Sequence, residues 1–409
     1  MRILLIVVYY APSTTSAAQM MQDLAREYAR RGHQVIVATP SDSVSRKFEI
    51  SEEGGVTILR IKTGGLKHAN RILRLWRERR LSNTIWRSAR AFFQTNACDL
   101  IVFYSPTIFF GRLVRRLKSL WACPAYLIVR DIFPKWAVDT GLIREGMLYR
   151  YFKRKESEQY AVADIIGVEA HGDLPYFHRE LGASAAKAEV LLNWLDERRA
   201  PERASRWRRR LGLEGKVVFF YGGNIGVAQD MDNIVRLAKM LRDHESAYFL
   251  LMGSGSEVSR LTTEIEGEGL RNITIHPSIP QNEYLQCLSE FDVGLVSLDR
   301  RLTSHNYSGK LLGYMACGKP VLASVAPGHD LIDLLQRNDA GFACVNGDDE
   351  QLSSAALLLA SDSGNRERMG RNARRLAESV FSVGAIATQI LAHFETRSRE
   401  AQIAVRPLS

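Results

Sequence analysis

The chain has 409 residues, 46% hydrophobic and 24% charged; that length accommodates two α/β domains of about 200 residues each, and that balance excludes a wholly disordered chain. A net charge of +10 favours anionic partners: phosphates, nucleic acid or an acidic membrane face. The cysteines, at 98, 123, 287, 317 and 344, form neither a C-x-x-C pair nor a zinc-like spacing with histidine, and so read as buried or free thiols of a reducing compartment.

The chain opens on a short apolar run, Ile3–Tyr9, followed by neither a long apolar region nor a small-residue cleavage site. It is shorter than the roughly 20 residues that span a bilayer, so it reads as a buried first strand. No later apolar stretch reaches membrane length, and the protein is expected to be soluble or to lie on a membrane surface. Helical spacing over Ala17–Arg31, closed by Gly32, predicts a helix. Strand-like runs then follow at Val35–Thr39, Val56–Ile61, Leu100–Tyr104, Ala125–Val129, Asp164–Val168 and Glu189–Leu192, with amphipathic stretches between them. The pattern breaks in a charged, proline-containing segment near 196–203, read as a linker. A second series begins at Val217–Tyr221 and continues through Tyr248–Met252, Ile273–His276, Val293–Ser297, Val321–Ala323 and Gly341–Val345, and 349–397 reads as helices only. Such alternation predicts α/β architecture with two parallel sheets, each with a ligand crevice at the carboxyl ends of its strands.

The chemistry is therefore sought just after each strand. Tyr221-Gly222-Gly223-Asn224-Ile225-Gly226 follows one strand, and Gly253-Ser254 follows the next; glycines admit a ligand to the backbone, and a helix start offers free N–H groups to a phosphate. The first loop is neither a Walker loop nor G-x-G-x-x-G, and a plain glycine turn is the alternative. Ser308-Gly309-Lys310 predicts a helix start with a cation at its mouth, ending at Gly318. In the first half, Ser13-Thr14-Thr15-Ser16 either binds sugar hydroxyls or caps a helix, and the two roles are compatible. Arg130-Asp131, beside Phe133 and Trp136, reads either as part of a cleft or as a structural ion pair. Asp230-Met231-Asp232 has the spacing of a D-x-D metal motif, but Asp232 reads better as a helix cap.

In this order and spacing, Tyr9–Pro12 with Arg31–Val37, Val129–Pro134, Tyr221–Gly226 and Ser308–Val321 resemble the family 4 retaining glycosyltransferases of GT-B fold. The likeness runs to about Phe394 and is strongest to the bacterial O-antigen, capsule and exopolysaccharide branch, which includes N-acetyl-L-fucosamine transferases. The resemblance implies two Rossmann-like domains facing each other across a cleft: an acceptor domain over 1–195, a donor-nucleotide domain over 196–380, and a final segment, 381–409, whose helix crosses back to the first. It implies a nucleotide-sugar donor, UDP foremost, carrying an N-acetylated or deoxy hexose. Gly222, Gly223, Asn224, Ile225, Gly226, Gly253, Ser254, Ile279, His305, Ser308, Gly309 and Lys310 would hold that donor. Ser13, Thr14, Thr15 and Ser16 would meet a polyprenyl-diphosphate-linked saccharide acceptor. Arg130, Asp131 and Lys310 are the expected catalytic groups, in a retaining reaction needing no cofactor or metal.

The chain departs from the family where many members carry two glutamates eight residues apart: His305 and Gly313 stand there. After the glycine loop, Val227-Ala228-Gln229-Asp230 replaces the usual arginine and lysine. Arginines interleave with Trp, Leu and Phe over 67–93, and a second basic patch follows at Arg112–Lys118, so the chain is expected on the cytoplasmic, inner face of the cell membrane rather than on nucleic acid. The alternative is an ordinary helix with a solvated basic face. The rival functions are a sugar-nucleotide epimerase of the same fold and a non-catalytic relative that only binds nucleotide.

Overall fold

The computed structural model describes the chain except for Thr14, 65–70, Pro106, Asp131, Thr140, Leu142, 197–205, 303–304, Asn306 and 405–409; the side chains of 71–76, Asp139, Gln281, Asn282 and 396–404 also lie outside the description. It divides into two compact units, Met1–Leu192 with Val383–Ser409, and Asn193–Ser382.

The first unit runs β1 Arg2–Ile6, α1 Ser16–Arg30, β2 Gln34–Ser41, β3 Phe48–Glu53, β4 Val56–Lys62, α2 Arg71–Thr95, β5 Leu100–Tyr104, α3 Gly111–Trp121, β6 Ala125–Ile128, α4 Lys135–Asp139, α5 Met147–Val162, β7 Ile165–Val168, α6 Leu174–Leu181 and β8 Ala188–Val190. Its strands lie in the order β3-β4-β2-β1-β5-β6-β7-β8, all pairs parallel except β3 with β4. β5 is buried at every position, as a central strand covered on both faces requires. The β3–β4 hairpin is an element the apolar runs did not predict. Every residue of β3 after Phe48 is exposed, which hides it from a search for buried strands. Its signal is Gly54-Gly55, with φ of +59° and +77°, the backbone a tight two-residue hairpin demands.

Helix α2 corrects one expectation. From Leu81 onward its apolar face does not look outward: Leu81, Ile85, Ala89 and Phe93 are in the core, and Trp86 and Phe92 pack against it. What that part of the helix turns to solvent is charge, including Arg87 and Arg90, and Arg79 and Arg80 just before it are exposed too. Residues 67–70 of the predicted amphipathic stretch are outside the described residues.

The second unit contains α7 Arg206–Arg210, β9 Val217–Asn224, α8 Asp232–Met240, β10 Ala247–Ser254, α9 Val258–Gly267, β11 Ile273–Pro277, α10 Gln281–Ser289, β12 Val293–Ser297, α11 Gly309–Ala316, β13 Val321–Val325, α12 Asp330–Arg337, β14 Gly341–Val345, α13 Asp349–Ser361 and α14 Ser363–Ser379. Its sheet order is β11-β10-β9-β12-β13-β14, wholly parallel. The order grows outward from β9 to β11, then returns to the other side of β9 with β12, so the switch point lies between β9 and β12. Helix α7 is anchored by Glu290, whose carboxylate accepts from the N–H groups of Arg206, Trp207 and Arg208 at 3.1, 2.7 and 2.9 Å. The final helix, α15 Val383–Ala404, belongs to the first unit. Arg31 there donates to the Gly384 carbonyl at 2.6 Å and to Thr388 at 2.9 Å, while Gln389 donates to the Val190 carbonyl at 2.8 Å.

Candidate functional site

The glycines predicted to form a loop after a strand are the end of the strand itself. β9 continues through Gly222 and Gly223 to Asn224 because β10 continues beside it, pairing Gly223 with Gly253 and Asn224 with Ser254. A Cβ on Gly253 would stand 1.8 Å from the Gly223 carbonyl oxygen, and one on Gly255 would stand 2.0 Å from the Ile225 carbonyl oxygen. The glycines of the second loop are thus required by the backbone of the first. Gly223 has a φ of +138°, which side-chain-bearing residues rarely adopt, and its missing Cβ would face Lys310 Cε at 3.5 Å.

Lys310 comes from the first turn of α11, whose N-cap is Ser308. Its ammonium donates to the Tyr221 hydroxyl at 2.6 Å and stands 4.1 Å from the centre of that ring. Tyr221 in turn donates to the Asn224 carbonyl at 2.6 Å. Lys310 is half-buried and forms no ion pair with a carboxylate among the described residues, and burial pushes its pKa down to about 8. The Ser308 hydroxyl makes no capping bond, and its oxygen is buried without a hydrogen-bond partner among the described residues. The switch point therefore gathers a cation, an unused hydroxyl, a helix N-terminus and a glycine-lined strand end, a group of donors suited to a phosphate.

Other predicted residues have different surroundings. Asn224 donates to the Gln229 side chain at 2.8 Å, which also accepts from the Gly226 N–H at 3.2 Å, so this pair shapes the turn after β9. The Ile225 side chain is fully buried in the unit's core. Ile279 is half-buried two residues beyond β11, the outermost strand on that side. His305 Nδ1 accepts from the Asp330 N–H at 3.2 Å and stacks on His329 at 5.3 Å. Asp232 is not the cap of α8. It lies inside the first turn and binds Arg260 at 2.8 Å, while Asp230, in left-handed backbone, accepts from Asn346 at 2.8 Å. The two carboxylates of the D-x-D spacing thus serve separate structural partners.

In the first unit Ser13 lines a cavity of about 260 Å³ formed by Tyr9–Pro12, Thr39–Ser43 and Arg60, at the carboxyl ends of β1 and β2. Thr15 caps α1, accepting from the Ala18 N–H at 3.4 Å, and its hydroxyl is 3.2 Å from that of Ser13. Ser16 is the first residue of α1. Arg130 donates to the carbonyls of Val129 at 2.8 Å and Leu192 at 3.1 Å, beyond the carboxyl ends of β6 and β8. Thr14 and Asp131 lie outside the described residues.

Three tyrosines take roles that the sequence alone does not assign to them. Tyr221 orients Lys310; Tyr314 is fully buried and accepts from the Gly222 N–H at 3.1 Å; Tyr284 would collide with a Cβ on Gly222 at 2.5 Å. Tyr221 and Tyr314 lie within the glycine and α11 motifs, so their neighbourhood is legible in the sequence even though their contacts are not. Tyr284 carries no local signal, because only folding brings α10 beneath β9. His329 was also missed. Its Nδ1 accepts from the Leu331 N–H at 3.1 Å, and burial pushes its pKa down to about 4, leaving a neutral ring.

Comparison with known proteins places both units. Residues 204–376 match the family Glycosyl transferases group 1, and residues 15–194 match the Glycosyl transferase 4-like domain. The chain belongs to the group 1, family 4-like glycosyltransferases, and its two Rossmann-like units are the domains of the GT-B fold. It is similar to "Probable glycosyltransferase WbjE" of Pseudomonas aeruginosa, 25% identical over 54% of this chain and 56% of that protein, so the match spans little more than half of that relative. It is also similar to "Putative colanic acid biosynthesis glycosyl transferase WcaI" of Escherichia coli K12, 25% identical over 78% of this chain and 82% of that protein. Among solved structures, Anabaena Alr3699/HepE in complex with UDP superposes with a TM-score of 0.70 at 16% identity, covering 97% of this chain and all of that one.

Proposed function

We propose that this glycosyltransferase moves a sugar, an N-acetylated or deoxy hexose, from a nucleoside-diphosphate donor to a lipid-linked saccharide acceptor with retention, in bacterial surface polysaccharide synthesis. The observation that carries the donor half is Lys310: a half-buried cation with a tyrosine partner and, among the described residues, no carboxylate, beside the Ser308 hydroxyl at the start of α11. Those groups suit the diphosphate, and they suit it best when the sugar departs and charge builds on the phosphate oxygens. On this reading Lys310 and the α11 amides stabilise the leaving group without a metal. UDP is the preferred nucleotide, in keeping with the UDP held by HepE. The acceptor's saccharide would enter the Ser13 cavity of the first unit, and the polysaccharide setting accords with the colanic acid role in the name of WcaI. Among the described residues no helix is long and apolar enough to cross a membrane. Membrane attachment at the cytoplasmic face would therefore rest on basic surface charge.

Thermal-shift measurements with UDP, GDP, dTDP, ADP and CMP, each with and without EDTA, test the reading. A ligand at 100 times its dissociation constant stabilises the fold by about 2.7 kcal/mol. The expected result is a shift with UDP that EDTA leaves unchanged and that Lys310→Gln abolishes. A shift lost in EDTA would overturn the metal-free mechanism, and no shift with any nucleotide would overturn the donor assignment.

A further inference from the structure

A cavity of about 370 Å³ opens in the first unit where α2, α3 and α5 meet, beyond the carboxyl end of β5. Arg79, Arg80, Arg112, Arg154 and Lys155 line it, against the single carboxylate of Glu158. That carboxylate is already shared, with Lys155 at 2.6 Å and Arg154 at 3.5 Å. Burial acts to raise its pKa, yet Lys155, Arg112 and Arg154 outweigh burial and hold it below the ordinary value. The Tyr151 ring lies beneath Arg79 at 5.6 Å and Lys155 at 5.9 Å, and its hydroxyl is buried with no hydrogen-bond partner among the described residues.

The walls are firmly built. A Cβ on Gly111 would meet the Gln159 backbone at 3.1 Å, so α3 starts against α5. The Gln159 side chain accepts from the Phe110 N–H at 3.1 Å and donates to the Thr107 carbonyl at 3.0 Å. Ser82 of α2 donates to the Phe109 carbonyl and accepts from the Leu113 N–H at 3.2 Å. Arg79, Arg112, Arg154 and Lys155 share one carboxylate that is already committed, which favours entry of an anion, and guanidinium forks with a tyrosine hydroxyl match the oxygens of a phosphate.

We infer that this cavity is a phosphate site, separate from Lys310 of the second unit, and that it takes the phosphate or diphosphate group of a substrate or a lipid. The surroundings favour a group carried on a bilayer. Met147 and Leu148, at the start of α5, are 88% and 51% exposed, and Met147, Tyr151 and Lys155 follow one another at four-residue intervals along one helix face. An exposed apolar tip beside a basic pocket is the arrangement that places a phosphate in the pocket and the tip among acyl chains.

The test uses the full chain carrying Lys310→Gln, which removes the other candidate phosphate ligand, and inorganic pyrophosphate titrated by calorimetry. Arg79→Gln with Arg112→Gln, both exposed and tolerable to the fold, is expected to weaken binding by about tenfold or more. Tyr151→Phe keeps the ring and its packing and is expected to weaken binding by about threefold. The control pair Arg87→Gln with Arg115→Gln removes the same charge outside the cavity and is expected to change binding little. Absence of pyrophosphate binding, or equal losses in the cavity and control pairs, overturns the site. Co-sedimentation with phosphatidylcholine vesicles, with and without phosphatidylglycerol, identifies the source. Loss of phosphatidylglycerol-dependent binding in the cavity pair, with competition by pyrophosphate, supports a bilayer-borne phosphate. Unchanged vesicle binding with lost pyrophosphate binding supports a soluble phosphorylated ligand and overturns the lipid assignment.

Discussion

Lys310 holds its proton less firmly than a lysine in water, because burial penalises the ammonium and a neutral tyrosine hydroxyl, not a carboxylate, answers it. Its folded pKa, about 8, lies below the ordinary lysine value of 10.5, so between those values the unfolded chain binds more protons and this residue makes stability rise with pH. Diphosphate binding runs the other way, since the anion needs the charged form. UDP affinity is expected to fall as pH climbs through 8, with proton uptake on binding, and Lys310→Gln is expected to abolish both; calorimetry in buffers of different ionisation enthalpy reads this directly. The glycines give a sharper contrast. Gly253→Ala places a methyl 1.8 Å from the Gly223 carbonyl and is expected to destabilise the fold by about 2–3 kcal/mol in urea titration. A stability change under about 0.5 kcal/mol would mean that β9 and β10 part easily at their ends.

Helix starts in this chain differ in what their capping groups do. Asp362 caps α14, accepting from the Asn365 N–H at 2.9 Å, whereas Ser308 begins α11 with no such bond. Asp362→Ala is expected to cost about 1 kcal/mol of stability without affecting nucleotide binding. Ser308→Ala is expected to cost under about 0.5 kcal/mol while weakening UDP binding, since the hydroxyl it deletes has no partner among the described residues. Denaturation curves and nucleotide titrations on the two variants read the contrast, and a reversed pattern would remove Ser308 from the donor site.

At the scale of the molecule, the chain's end serves its beginning. α15 is separated from β8 by the whole second unit, yet it packs on α1 and reaches β8 through Gln389 and through His393, 2.9 Å from Glu189. Ile390, fully buried, is part of that packing. Ile390→Ala is expected to cost about 2–4 kcal/mol, with hydrogen-exchange protection lost over Met1–Leu192 and kept over Val217–Val345. Equal loss in both regions would mean that the two units unfold as one.

Local chemistry determined the strands, because a parallel strand buried on both faces must be a largely apolar run, and Leu100–Tyr104 and Val293–Ser297, buried throughout, stand where those runs predicted. It also determined the helix start after Ser308, which follows from the apolar helical run beyond it and not from the serine hydroxyl, since that hydroxyl makes no capping bond. It could not reveal β3, whose residues after Phe48 face water, nor the true role of Asp232, whose partner Arg260 is on another helix. Nor could it show that α2 from Leu81 onward turns its apolar face to the core, since an amphipathic pattern is the same whether a sheet or a lipid covers it. The two sites of positive charge, one lysine and one cluster, were decided only by tertiary structure. Lys310 lost its exposure when Tyr221 and Gly223 closed over it, and the arginines of α2, α3 and α5 became one cavity only when three helices distant in sequence were packed together. Sequence sets the charge of each residue, whereas burial and convergence, which set what that charge can hold, belong to the fold.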